Sequence, residues 1–378
     1  MGSRIRLFRL KKPYETDRSN DLFLHAMRQN CAYHEKHCAE YRKILNNADF
    51  SAEQLREYAD ISKIPPIPTL FFKRHHIHSM SRRRSLIHAT SSGTSGQFSD
   101  IRFDTGGLWA GLHMVLTVAK DRHLLSARPC HYIVMGYRPH RSNKTAIAKT
   151  AYGYTFFAPA LDRTFALKYH DGQYTPDLDG IIDAILRHSR SRFPTRFIGF
   201  PAYTWFVLNR MEERGITVKL PRHSIIMLGG GWKQFYREQV DKREFYEKAE
   251  RILGVPEDHI IEAFGAAEHP ILYLDCPHHH FHVPVYSRVI IRDVHTLEPL
   301  ENGRLGLINL LTPMVRATPI QSIMTDDLGI LHDGNTCPCG ITSPWLEIVG
   351  RVGLKDIKTC AAGAGDILAA SLGKEKRT

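Results

Sequence analysis

The sequence predicts an α/β protein built on mostly parallel sheet, followed by a smaller β-rich part. Two observations carry this. Short apolar runs (HYIVMGY at 131–137, TRFIGF at 195–200, HSIIMLGG at 223–230, HIIEAFG at 259–265) alternate with amphipathic stretches at 108–125, 178–185, 203–211 and 235–253, the pattern of β-α units. After about residue 270 the segments FHVPVYSRVIIRDV, GRLGLINLLTP and WLEIVGR are β-rich and separated by turns, as in an antiparallel or barrel-like part. Ahead of the sheet, residues 18–46 repeat apolar side chains at helical spacing (Leu22, Phe23, Met27, Cys31, Tyr33, Tyr41, Ile44, Leu45), and Ser51 with Gln54 is spaced as a capping box. The proline-rich KIPPIPTLFF ends that pattern. The expected organisation is a helical lead-in over 1–64, a main domain over 65–349 that turns β-rich from about 270, and a short remnant over 350–378.

A chain of 378 residues with 43% hydrophobic and 24% charged residues has enough apolar material for a large core, which excludes extensive disorder. No apolar run approaches the roughly 18 residues that span a bilayer, and the opening MGSRIRLFRLKKPYETD lacks the apolar stretch of a secretory signal. Position 6 is Arg rather than Ser or Thr, against myristoylation, so a cytoplasmic protein is expected. The formal charge of +12 favours anionic partners; basic runs such as 73–76, 82–84 and 187–196 come with no nucleic-acid motif, so nucleic acid is not expected. Seven cysteines, an odd number with Cys276, Cys337, Cys339 and Cys360 late in the chain, read as free thiols, metal ligands or a nucleophile rather than a disulfide scaffold.

Residues 90–97 read TSSGTSGQ, directly after the apolar-leaning Leu86, Ile87, His88, Ala89. Gly93 and Gly96 let backbone N–H groups converge on an anion, while the hydroxyls of Thr90, Ser91, Ser92, Thr94 and Ser95 add donors without bulk. The loop suits a polyphosphate, and it is not the Walker pattern, because no Lys-Ser or Lys-Thr follows its second glycine. IIMLGGGWK places a second glycine loop where a strand should end, the position at which open α/β sheets bind ligands.

In this order, residues 65–360 resemble the adenylate-forming superfamily of acyl-CoA synthetases and adenylation enzymes. TSSGTSG is similar to its phosphate-binding loop, and LGGGWK, with Gly229, Gly230 and Gly231, stands where that superfamily lays a glycine loop against the adenine. AFGAAEH resembles its aromatic-Gly-x-x-Glu motif, which implies Phe264 and Gly265 beside the adenine and Glu268 on Mg²⁺. MTDDLG resembles its Thr-x-Asp motif, which assigns Asp327 to the ribose; a diol presents two donors that suit an ionised carboxylate.

CPCG at 337–340, Cys276 and the histidines of CPHHHFH (278, 279, 280 and 282) can together close a tetrahedral Cys₃His zinc site. A similarity to phenylacetate-CoA ligases and acyl-protein synthetases implies the set Cys276, His282, Cys337 and Cys339, with His280 second to His282. Superfamily members continue after a Gly-Arg hinge, here Gly350-Arg351, into a mobile domain with a catalytic lysine; the expected C-terminal domain is strongly curtailed and Lys233 is the substitute lysine. GRVGLKDIKTCAAG instead sets Cys360 among small residues with Lys355 and Lys358 near, and cationic neighbours raise a thiolate fraction. These features resemble the LuxE-type acyl-protein synthetases. The resemblance implies ATP-dependent activation of a fatty acid to acyl-AMP, its capture as a thioester on Cys360, and transfer to an acyl reductase or another acyl-accepting protein. A CoA ligase acting on an acyl or aryl acid, and a zinc-stabilised nucleotide-binding protein without ligase activity, are the other readings.

Overall fold

A computed structural model describes residues 2–90, 99–141, 143, 145–232, 235 and 238–351, with only the backbone of 88–90, 146, 147 and 351. The chain before Arg122 and after Phe264 forms one compact unit, and Arg122–Phe264 forms another. The first unit opens with α1 (Ser3–Phe8), α2 (Asn20–His37) and α3 (Ala39–Asn47). The predicted lead-in helix is thus two helices, because Cys38 turns to an extended conformation (φ −131°, ψ 108°) between them. The capping box expected at Ser51 does not form: Gln54 donates its side-chain amide to Asp49 O, and Ser51 makes no cap bond. Nearby, Asp60 Oδ2 accepts from the backbone N–H groups of Arg56 and Glu57, both at 2.8 Å, and holds the turn that follows.

After β1 (Ile67–Pro68) and α4 (Thr69–Arg74), β2 (Ile87–Thr90) pairs antiparallel with β3 (Asp100–Phe103), so residues 91–98 join two antiparallel strands. Helix α5 (Thr105–Asp121) follows and stops short of the predicted Leu125.

The second unit contains β4 (Cys130–Tyr137), α6 (Ala146–Tyr154), β5 (Ala160–His170), β6 (Gln173–Pro176), α7 (Leu178–Ser189), β7 (Thr195–Gly199), α8 (Pro201–Glu213), β8 (Ile225–Gly229), α9 (Lys242–Leu253) and β9 (Ile260–Phe264). Its strands lie in the order β9-β8-β7-β4-β5-β6, parallel from β9 to β5, with β6 antiparallel. Helix boundaries follow local chemistry. Asp177 Oδ1 accepts from Gly180 N (3.0 Å) to start α7, Asp241 Oδ1 accepts from Arg243 N (2.8 Å) to start α9, and Gly254, at φ 68°, ends α9 in the left-handed region. Ile181 and Ile185 of α7, Leu208 and Met211 of α8, and Ala249 and Ile252 of α9 share one core with Ile133, Phe197, Ile226 and Ile260 of the strands. The chain runs from β4 to β5 on one side and returns to β7 on the other, which makes the carboxyl ends of β4 and β7 a topological switch point.

The first unit resumes with β10 (Tyr273–Leu274), β11 (Phe281–His282), β12 (Arg288–Arg292), β13 (Leu305–Leu311), β14 (Ser322–His332) and β15 (Trp345–Arg351). The order β11-β15-β14-β13-β12 is antiparallel, with β1 parallel on β14, which matches the β-rich part expected from the sequence. The lead-in is tied into it by Arg288. That guanidinium, 5% exposed, donates to Tyr58 Oη, Thr16 O, Ser19 Oγ and Asn20 Oδ1 and lies 4.4 Å over the ring of Phe23. Among the described residues no helix is long and apolar enough to cross a membrane.

Candidate functional site

Within the second unit, the glycine run and the aromatic of the third motif stand at neighbouring strand ends. Strand β8 ends at Gly229, opposite Ala263 of β9, and Phe264 is the next residue of β9. Gly230 and Gly231 then adopt φ 82° and 64°, a region in which L side chains are strained, so the turn leaving β8 requires glycine. A Cβ at Gly231 would meet nothing within 4 Å among the described residues. Lys233 lies outside the described residues, as do residues 91–97 and Cys360 with Lys355 and Lys358.

At the switch point of the same unit, Gly199 has φ 136°, and a Cβ there would collide with Met135 O. Beyond it the Phe200 ring meets Tyr137 and Tyr203 edge-on or tilted, each at 6.1 Å, and Tyr203 meets Phe235 at 5.7 Å. Trp205 belongs to the core, stacked on Phe245 at 5.9 Å.

In the first unit the segment after Phe264 turns tightly. Gly265 allows its backbone close to Ile271, where a Cβ would stand 2.9 Å from the carbonyl oxygen, and Ala266 and His269 exchange backbone hydrogen bonds across the turn. This holds Glu268, 5% exposed, where Ser99 Oγ donates to its Oε1 at 2.5 Å. Ser99 is the first described residue after the hydroxyl-rich loop. The bond therefore joins Ser99 to a carboxylate 169 residues away, and nothing in the sequence pattern marked Ser99. Beside Glu268, burial pushes the His269 imidazole down to about 3, and its Nε2 lies 3.0 Å from Ser287 Oγ. A neutral imidazole next to the carboxylate adds no competing cation.

Asp327 and Arg351 meet through strand register. Asp327 on β14 is the partner of Arg351 on β15, and a bulge follows between Leu328 and Gly329. Thr325 Oγ1 accepts from the Asp327 N–H at 3.2 Å and donates to Ile308 O, which fixes the strand at the motif. The neighbouring Asp326 accepts from Thr69 Oγ1 at 3.5 Å.

The cysteines and histidine converge elsewhere in this unit. Ligand atoms of Cys276, His282, Cys337 and Cys339 all lie within 4.8 Å of one another. Cys276 Sγ is 3.7 Å from Cys337 Sγ, Cys337 Sγ 3.3 Å from Cys339 Sγ, and Cys339 Sγ 3.2 Å from His282 Nε2. Bonds of about 2.3 Å from sulfur and about 2.0 Å from nitrogen put tetrahedral neighbours roughly 3.5–3.8 Å apart, close to these spacings. His282 Nδ1 is 2.8 Å from Ser343 O and must donate to it, which leaves the Nε2 lone pair facing the sulfurs. The backbone N–H groups of His278 and Ile341 point at Cys276 Sγ and Cys339 Sγ, each at 3.4 Å. Burial, reinforced by the neighbouring thiols, pushes the Cys337 thiol up to about 12, so a cation here must displace protons. His280, its Nδ1 3.2 Å from Cys337 Sγ, instead stacks flat on Trp345 at 3.7 Å.

The chain matches the model of the LuxE acyl-protein synthetases over residues 10–369. It belongs to that family. It is 25% identical over 348 residues to the long-chain-fatty-acid–luciferin-component ligase of Aliivibrio fischeri, covering 90% of this chain and 87% of that protein. The corresponding ligase of Vibrio harveyi is 24% identical over 310 residues, with 80% and 77% covered. Among solved structures, the open conformation of 2-hydroxyisobutyryl-CoA ligase in complex with 2-HIB-AMP and CoA superposes with a TM-score of 0.67 at 13% identity, covering 91% of this chain and 77% of that one. The family member described here thus has the α/β fold of adenylate-forming enzymes.

Proposed function

We propose that this chain activates a long-chain fatty acid with ATP and carries the acyl group on Cys360 for delivery to a partner acyl reductase. The observation that carries the reading is membership of the LuxE acyl-protein synthetases over nearly the whole chain, together with relatives named as fatty-acid ligases. In the first step a carboxylate oxygen attacks the α-phosphorus of ATP, the bond to the bridging oxygen of the β-phosphate breaks, and pyrophosphate leaves. In the second, the Cys360 thiolate attacks the acyl carbon, AMP leaves, and a thioester remains.

Each matched residue has a role that its chemistry suits. Thr90, Ser91, Ser92, Gly93, Thr94, Ser95 and Gly96 hold the departing pyrophosphate with hydroxyl and backbone donors, and Lys233 offsets charge at the reacting phosphorus. Gly229, Gly230, Gly231, Phe264 and Gly265 frame the adenine; the adjacent ends of β8 and β9 support this grouping. Asp327 accepts from the ribose hydroxyls, with Arg351 opposite it across the β14–β15 ladder. A buried carboxylate is a hard oxygen ligand suited to Mg²⁺, so Glu268, oriented by Ser99, is the metal-holding residue. When bound, that ion neutralises phosphate charge. The partly exposed rings of Tyr137 and Tyr203, packed on the buried Phe200, offer apolar surface for the acyl chain at a switch point where ligands of such sheets bind. Cys276, His282, Cys337 and Cys339 hold a structural Zn²⁺; the outer hydrogen bond on His282, and the stacking of His280 on Trp345, favour His282 as the fourth ligand.

The test is pyrophosphate exchange into ATP, screened over fatty and aromatic acids, followed by labelling with radioactive fatty acid. C360S should keep the exchange and lose the covalent label. Label that persists in C360S refutes Cys360 as acceptor. Acyl-CoA formation that does not need Cys360 selects a CoA ligase, and no exchange with any acid refutes the ligase reading altogether.

A further inference from the structure

His131, Asp162 and His188 form a second cluster of ligand-type side chains, and the activity proposed above uses none of them. The fold brings them together at the amino ends of the parallel strands. His131 is the second residue of β4, Asp162 is its register partner on β5, and His188 sits in the last turn of α7. His131 Nδ1 and His188 Nε2 lie 2.9 and 3.3 Å from the same atom, Asp162 Oδ2, and the two imidazoles stack at 4.2 Å with 18° between their planes.

Two nitrogens at about 2.0–2.1 Å and an oxygen at about 2.0–2.2 Å from one ion would stand about 2.9 Å apart at right angles and about 3.4 Å apart in a tetrahedron. Both observed spacings fall in that interval. His131 Nε2 lies 2.9 Å from Ser191 Oγ, which also accepts from Phe193 N; donation to that oxygen leaves the Nδ1 lone pair facing Asp162. His188 is 2% exposed whereas the Asp162 side chain is 45% exposed, so the cluster is walled on one side and open to water ligands on the other. His188 Nδ1 is buried with no hydrogen-bond partner among the described residues, so coordination through Nε2 leaves an unpaired N–H and limits the affinity.

We propose that His131, Asp162 and His188 bind one divalent transition-metal ion of the Zn²⁺ or Co²⁺ class. Two imidazoles with a single carboxylate favour such ions over Mg²⁺ and Ca²⁺, which seek oxygen ligands. The ion ties β4, β5 and α7 together at the sheet edge opposite to that of Gly229 and Phe264, so its role is to brace the unit rather than to meet the substrate.

Equilibrium dialysis of the full chain against Zn²⁺ tests this. The wild type should bind two equivalents, and D162N should lose one of them or bind it at least tenfold more weakly, while C339S loses the other. H131A provides the same reading if D162N does not fold. Zn²⁺ should also raise the melting temperature of C339S but not that of a C339S/D162N double variant. A zinc stoichiometry that neither D162N nor H131A changes overturns the proposal and makes the cluster a hydrogen-bonded triad only. Loss in D162N with no loss in C339S supports this site and refutes the Cys₃His site instead.

Discussion

The bond between Ser99 and Glu268 gives the sharpest test of the proposed site, and S99A is the perturbation. Ser99 is fully buried, Glu268 nearly so, and the Ser99 hydroxyl donates to the Glu268 carboxyl group. Such a bond contributes about 1.5–3 kcal/mol, and alanine removes the donor with little change in shape. If the carboxylate so oriented holds the ion that accompanies ATP, its misplacement should lower kcat/KM for pyrophosphate exchange by about 10- to 150-fold at limiting Mg²⁺. The assay is exchange across a Mg²⁺ titration, with melting temperature read on the same preparations. S99A should shift the Mg²⁺ dependence to higher concentration and recover part of its rate when the ion is saturating. The double variant S99A/E268Q should be no slower than E268Q, because the serine would act through the carboxylate. An S99A defect that is equal at all Mg²⁺ concentrations, or that multiplies the E268Q defect, refutes the assignment of Glu268 and leaves the bond a matter of stability.

D327N should raise KM for ATP by about 10- to 150-fold, from the loss of charged hydrogen bonds worth about 1.5–3 kcal/mol, and should respond less than wild type to ATP lacking the ribose hydroxyls; exchange kinetics with the two nucleotides check this. C339S should lower zinc content by one equivalent and lower the melting temperature, measured by metal analysis and calorimetry. Acid should destabilise the first unit through His34 and His269, each pushed down to about 3 by burial. An unfolded histidine takes up its proton near pH 6.5 while these stay neutral, so stability falls as pH drops below about 6.5, with a slope approaching roughly 2.7 kcal/mol per pH unit for the pair. Urea midpoints between pH 7 and 5 should show a shallower slope in H269Q than in wild type, and an unchanged slope would refute the account.

The sequence was most informative where one segment settled its own structure. The apolar runs at β4, β7, β8 and β9 are buried parallel strands, and the stretches between them became α7, α8 and α9 because a capping aspartate or a left-handed glycine stands at their ends. The break between α2 and α3 was not legible, since Cys38 carries no helix-breaking signature although its backbone is extended there. Contacts between distant segments were not legible. Ser99 reaches Glu268 across 169 residues, and His131, Asp162 and His188 lie on three different elements, so no spacing along the chain could reveal either group. The grouping of the cysteines, by contrast, was legible from the Cys-x-Cys turn and the histidine run, and the structure brings Cys276 and His282 to Cys337 and Cys339.

The cysteine cluster also bears on the residues proposed to hold the nucleotide, through a single strand. The Cys337–Cys339 turn lies between β14 and β15, and β11, which carries His282, pairs with β15 at Trp345. Holding these together fixes one end of β15 against β14. At the other end, six residues and roughly 20 Å along the strand, Arg351 faces Asp327. A slip of one residue in this ladder would give Asp327 another register partner in place of Arg351. The bulge at Leu328 and Gly329 adds to the risk, because it already interrupts the register between the two ends. The ion proposed at the cysteines would therefore act on the Asp327–Arg351 register pairing without touching it. On this reasoning the zinc-free protein should lose nucleotide affinity along with stability, while the Ser99–Glu268 pair, which lies on other segments, keeps its geometry.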